Sequence, residues 1–125
     1  LGLITTNALN ASDSVLIPVQ CEYYALEGLS QLMSSVQAVK RRYNDRLELE
    51  GVLLTMYDGR RNLTQQVVTE IKKYSPRKVF ATVIPRTVRL SEAPSYGQPI
   101  LYYDKSNKGC IAYGALVDEI LKKNR

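Results

Sequence analysis

"GVLLTMYDGRRNLTQQV", residues 51 to 67, changes character twice in one short span. A nearly continuous apolar run, Gly51 to Met56, gives way at Tyr57 to Asp58 and Gly59, then to two arginines. From Leu63 the apolar residues Leu63, Val67, Ile71 and Tyr74 recur at helical spacing. A short continuous apolar run between turn residues reads as a strand covered on both faces, the pattern of a parallel sheet. The whole stretch is therefore a strand, a turn and a helix. Asn62 is placed to cap that helix with Gln65 three residues on, and Pro76 is placed to stop it.

The same grammar recurs on either side. "SVLIPV", Ser14 to Val19, and "KVFATVI", Lys78 to Ile84, are two more apolar runs. Between the first two strands, Leu26, Leu29, Met33 and Val36, with Leu32, Val39 and Tyr43 beside them, keep three- and four-residue spacing. The opening residues read as a helix stopped near Asn10. A last helix is expected from about Gly109 to Lys123, with Ala112, Leu116 and Ile120 inward and little apolar face beyond that stripe. Alternation of this kind gives right-handed crossovers and a parallel sheet with helices on both faces. The expectation is an α/β fold: a partial doubly wound parallel sheet of three strands, in a single domain over residues 1 to 125. Three strands are few, and a helix opens the chain with no strand to feed it. A longer protein, with residues preceding Leu1, is expected.

Composition narrows the chemistry. With 125 residues, 45% of them hydrophobic and only five prolines and seven glycines, the chain is globular. No apolar run reaches the length of a membrane span. Histidine is absent, which removes the commonest general base and metal ligand. Cys21 and Cys110 stand apart with no paired cysteine or histidine beside them, and read as buried, reduced thiols. There is no glycine-rich phosphate loop and no nucleophile with a base to activate it, so the isolated chain is expected to catalyse nothing. The net charge of +5, with a pI near 9.3, suits an acidic partner such as nucleic acid and equally suits a solvated basic surface.

Ligands of open α/β sheets sit beyond the carboxyl ends of the strands. Three segments lie there: "PVQCEYYALEGL" after the first strand, "MYDGRRN" after the second, and "PRTVRLSEAPSYGQP" after the third. Arg60 and Arg61 fall just before a helix N-terminus, where positive charge opposes the helix dipole. They are either solvated charges or contacts for a partner. Arg86 and Arg89 point to opposite sides if the chain is extended and to one side on a helical turn. The alternative to a ligand role is an ion pair of Glu92 with one of them.

"SDSVLIPVQCEYYALEGL", "GVLLTMYDGRRNLTQQV", "VIPRTVRLSEAPSYGQPI" and "YDKSNKGCIAY" together resemble the C-terminal half of ParA/Soj-type chromosome- or plasmid-partitioning ATPases. These are deviant Walker P-loop NTPases, a group that includes the MinD division-site proteins. The resemblance runs in order through essentially the whole chain. It implies ATP with Mg2+ held between two subunits of a homodimer, non-specific DNA binding, a ParB-like activator, no membrane, and a cytoplasmic, nucleoid-associated protein. It implies that the phosphate loop precedes Leu1, so this half supplies the base-side wall: Met56, Tyr57 and Asp58 on one side, Pro85, Arg86 and Thr87 on the other. Arg60 and Arg89 match DNA-binding positions, and Arg61 joins them on charge. Thr87 and Gly59 depart from the family pattern, which has Asn and Ala there. A chain lacking the phosphate-loop strand is expected to bare a strand edge and to self-associate. The competing readings are a MinD-like fragment and a freestanding binding module without nucleotide.

Overall fold

The computed structural model describes residues 2–74 and 78–125, so Pro76 as a helix stop lies outside the described residues, as does the side chain of Tyr74. Helix α1 (Leu3–Ala11) leads into β1 (Ser14–Gln20), α2 (Ala25–Arg42), β2 (Glu48–Tyr57), α3 (Asn62–Tyr74) and β3 (Val79–Pro85). After these come α4 (Val88–Glu92), a 3-10 turn (Ala93–Tyr96), α5 (Ile100–Tyr103) and α6 (Lys108–Lys123). The strands are parallel in the order β1-β2-β3, as the alternation predicts.

The core explains why the strands read as nearly continuous apolar runs. Val52 and Leu54 join Ile17 and Val19 on one face, under Leu29 of α2 and Val67, Val68 and Ile71 of α3. Leu53 belongs to the other face, with Phe80, Ile84 and Leu116 of α6. A central strand buried on both sides leaves no room for polar alternation. Each such side chain contributes about 1.5–3 kcal/mol on burial.

Several helix faces differ from their sequence reading. In α2, Leu29, Val36 and Val39 are buried, but Tyr43 is 59% exposed. In α3 the inward residues are Thr64, Val67, Val68 and Ile71, and Leu63 turns outward. The helix starts one residue early: the Gln65 amide donates to the Arg61 carbonyl at 3.4 Å, so Arg61 and not Asn62 stands at the cap. In α6, Ala112, Leu116 and Ile120 pack inward as expected, and the Asn107 side chain caps the first turn by accepting from the Gly109 amide at 2.8 Å. That helix also carries a second apolar stripe, Ile111, Val117 and Leu121, more than half exposed, which corrects the expectation of little further apolar face. Both thiols are free; Cys21 is buried and Cys110 only partly so.

Residues between β3 and α6 read as irregular but fold into short helical turns. The Thr87 hydroxyl oxygen accepts from the Leu90 amide at 3.1 Å and starts α4. Pro94 opens the 3-10 turn and Gly97, at φ 64, closes it in the left-handed region that suits glycine. At the other end, the Asn44 side-chain amide donates to the carbonyls of Leu9, Asn10 and Ser12 at 3.2, 3.1 and 2.8 Å, and so terminates α1 near Asn10.

Among the described residues β1 pairs with β2 alone. The Cys21 amide donates to the Thr55 carbonyl at 3.2 Å, so by alternation the odd residues of β1 turn their backbone to β2 and the even residues to the open edge. Pro18, which has no N–H, sits on the open side, where it costs the β1–β2 ladder nothing.

Candidate functional site

Arg86 ties together the three loops at the carboxyl edge. Its backbone N–H donates to the Tyr57 carbonyl at 3.1 Å, and its guanidinium lies 3.8 Å from the Glu22 carboxylate in the β1–α2 loop. Pro85 is the register partner of Tyr57. Met56, Tyr57 and Asp58 therefore run beside Pro85, Arg86 and Thr87, as two walls joined by backbone.

The first wall departs from strand geometry. Met56 has φ 51, in the left-handed region that a long side chain seldom adopts, where the β2–β3 register breaks between Leu54 and Tyr57. Backbone of this kind costs roughly 1–3 kcal/mol and tends to mark ligand sites. The Met56 side chain is 41% exposed at the tip of the strand. The Tyr57 hydroxyl accepts from the Gln65 side-chain amide at 3.1 Å, and its ring packs so close to Gly59 that a Cβ there would stand 3.3 Å away.

Asp58 organises the turn into α3. Its carbonyl accepts from the Arg61 amide and its Oδ1 from the Arg60 amide, both at 3.1 Å. Its carboxylate also meets both guanidiniums, at 3.2 Å to Arg60 and 3.8 Å to Arg61. Hydrogen bonds from Arg60, side chain before backbone, hold the Asp58 carboxyl below the usual range. An anion at this helix start offsets the cost of the two arginines, whose side chains stay 92% and 63% exposed.

Arg89 belongs to a different cluster. It lies on α4, 3.6 Å from both Glu92 and Asp104, so Glu92 pairs with Arg89 and not with Arg86. The Tyr103 hydroxyl donates to Glu92 at 2.6 Å, and its ring stacks on Tyr96 with centroids 5.1 Å apart. The hydrogen bond that Arg89 donates to the Tyr103 hydroxyl oxygen, then Glu92 and Asp104, raise the Arg89 pKa above its ordinary value; the Glu92 contact raises that of Tyr103. Tyr96, Tyr103 and Asp104 escaped the sequence reading because α5, which brings the last two to α4, carries no periodic signal of its own. Thr87 stands in the second wall, but its hydroxyl oxygen is engaged as the α4 cap.

Met56 is exposed at the tip of β2, while the Tyr57 ring packs toward Gly59 and against the core. The sequence has no phosphate loop, and among the described residues no three acidic, cysteine or histidine side chains gather to hold a metal ion.

A family model described as an AAA domain matches residues 1–49. The chain is 61% identical over 120 residues to the sporulation initiation inhibitor protein Soj of Bacillus subtilis, covering 96% of this chain and 47% of that protein. It is 56% identical over 124 residues to the chromosome partitioning protein ParA of Myxococcus xanthus, covering 99% and 44%. It is 46% identical over 123 residues to the chromosome-partitioning ATPase Soj of Thermus thermophilus, covering 98% and 49%. The chain thus spans about half the length of the curated relatives it matches. Among solved structures it resembles cobyrinic acid a,c-diamide synthase of Mycobacterium smegmatis with bound ADP and magnesium, at 31% identity and a TM-score of 0.76, over 99% of this chain and 45% of that one. The same enzyme with a bound ATP analogue and magnesium matches at 30% identity and a TM-score of 0.76, over 97% and 43%.

Proposed function

Because this chain belongs to the ParA/Soj family of chromosome-partitioning ATPases, we propose that it forms the C-terminal half of such an ATPase and closes the base side of its nucleotide site. Met56 and Tyr57 form one wall and Pro85 the other, with Asp58 and Thr87 fixing the turns beyond them. Arg86 holds the walls at one spacing. The observation that carries this reading is the Arg86 amide bonded to the Tyr57 carbonyl, with the same residue's guanidinium facing Glu22. ATP with Mg2+ supplies the phosphoryl group whose transfer drives the cycle, and the grip on its phosphates belongs to the half that precedes Leu1. In that protein, a homodimer in the cytoplasm on the nucleoid, Arg60, Arg61 and Arg89 face DNA phosphates, and a ParB-like protein stimulates hydrolysis. Without the other half, the open edge of β1 is a site of self-association. Among the described residues no helix is long and apolar enough to cross a membrane.

The test is nucleotide titration of the longer protein and of this chain alone. The longer protein binds a fluorescent ATP analogue and hydrolyses ATP; this chain alone does neither. Met56→Glu weakens binding by about tenfold or more, since it sets a charge against the base. Unchanged affinity in that variant, or ATPase activity in this chain alone, overturns the assignment.

A further inference from the structure

We propose that Glu92 and Asp104 form a built-in brake on DNA binding, as resident anions that compete with phosphate for Arg89. The brake presupposes the reading of Arg89 as a phosphate contact in the longer protein. Its geometry belongs to this chain alone, since the whole cluster lies between residues 89 and 104. One carboxylate is enough to orient a guanidinium, but Arg89 has two. Glu92 faces its Nη1 and Asp104 its Nε, each at 3.6 Å. Glu92 is fixed in place: the Tyr103 hydroxyl donates to it at 2.6 Å, and the Tyr103 ring is itself stacked on Tyr96. The same hydroxyl oxygen accepts from Arg89 Nη1 at 3.5 Å. Both carboxylates are more sheltered than the guanidinium, at 39% and 28% exposed against 54%. They are built into the surface beneath it.

The balance of charge decides the direction of the effect. Among the described residues no second cation pairs with Glu92 or Asp104, so one positive charge faces two negative ones. The turn before α3 has the reverse balance, with Arg60 and Arg61 sharing Asp58. A phosphate that reaches Arg60 meets a net cation, whereas one that reaches Arg89 meets a net anion. It must draw the guanidinium from two carboxylates and then lie beside both. Affinity at Arg89 is therefore set below what the same arginine would give without them. Orientation alone does not require this, because an uncharged amide in either place would still accept a hydrogen bond and hold the side chain.

The experiment is fluorescence anisotropy of the longer protein, with ATP and Mg2+ present, against a labelled random-sequence duplex. Glu92→Gln and Asp104→Asn keep shape and hydrogen-bonding capacity and remove only the charge. Each is expected to tighten binding about two- to fivefold, the scale of a charge a few ångströms away at a protein surface, and the double variant binds tighter than either. Asp45→Asn removes an exposed carboxylate from the turn before β2, at the other end of the sheet, and leaves the affinity unchanged. In an Arg89→Ala background the gain from the two amides shrinks. Thermal melts check folding, and should one amide variant unfold, the other carries the test. If Arg89→Ala weakens binding but the amide variants bind no tighter than the parent, the brake is overturned and the DNA reading stands. An equal gain from Asp45→Asn also overturns the brake, because net charge alone would then account for it. Undiminished binding by Arg89→Ala overturns the DNA reading, and the brake with it.

Discussion

Glu119 of α6 accepts a hydrogen bond from the Thr82 amide at 2.9 Å, and its other oxygen accepts from the adjacent Ala81 amide at 2.8 Å. Successive residues of a regular strand send their N–H groups to opposite sides. Both reach one carboxylate because β3 is irregular here: Val52 pairs with Val79, but Leu54 pairs with Val83. The carboxylate thus takes up two N–H groups at the irregular stretch of β3, where the ladder to β2 is broken.

This contact makes stability depend on pH. Burial pushes the Glu119 carboxyl up, but hydrogen bonds from Thr82 and Ala81, with Lys123 nearby, outweigh it and leave the pKa below the usual glutamate range. A lowered folded pKa gives stability that is complete above the unfolded value, about 4.3, and is lost as pH falls through the folded one. Glu119→Leu is expected to lower the unfolding free energy by about 1–3 kcal/mol at neutral pH and to flatten the acid limb. Urea denaturation at pH 7 and pH 3 measures both. Equal midpoints for the variant and the parent at pH 7 would remove the Glu119 contact from any account of stability.

Gly51 is required by its neighbour across the sheet. A Cβ at this position would stand 2.5 Å from the Phe80 ring. Gly51→Ala is expected to destabilise by about 1–3 kcal/mol, the usual cost of overpacking a core. Phe80→Leu in the same chain should recover part of that loss, although it destabilises alone. A double-mutant cycle by chemical denaturation checks the sign of the coupling, and additive losses would contradict it.

The sheet was legible because β2 is buried on both faces, so its pattern owes nothing to the loops. Met56, Tyr57 and Pro85 continue directly from Thr55 and Ile84, inside strands that the apolar runs reveal, but their part in a site was implied by the family resemblance alone. Features that escaped were set by partners distant in sequence. Tyr43 keeps the helical period of α2 yet points to solvent, and Leu63 keeps the period of α3 yet turns outward. Spacing says which residues share a face, but not how far the core extends along it. The Arg89 cluster needs α5, whose single turn has no periodicity. Nor could any local pattern announce that Asn44 would reach back to α1.

That reach is open to test. The Asn44 amide serves three carbonyls at the end of α1, of Leu9, Asn10 and the C-cap residue Ser12. Asn44→Ala is expected to cost about 1–2 kcal/mol. Hydrogen exchange should quicken in α1 and change little in β2 and α3. Uniform acceleration over the whole chain, or none in α1, would contradict a local capping role.

The two arginines proposed to face DNA should separate in experiment. Arg60 is 92% exposed and paired only at the surface, so Arg60→Ala leaves stability within about 1 kcal/mol. Arg89 is also exposed, at 54% of its side chain, but sits among Glu92, Asp104 and the Tyr103 ring. Its removal leaves two carboxylates facing each other, so Arg89→Ala lowers stability as well as DNA affinity. In the longer protein, each loss should reduce the salt dependence of binding to random-sequence duplex by about one unit of slope, the signature of one phosphate contact. Titrations at several salt concentrations, read beside thermal melts, distinguish the two effects. Undiminished, salt-sensitive binding by the Arg60→Glu, Arg89→Glu double variant would take the DNA surface away from this edge of the sheet.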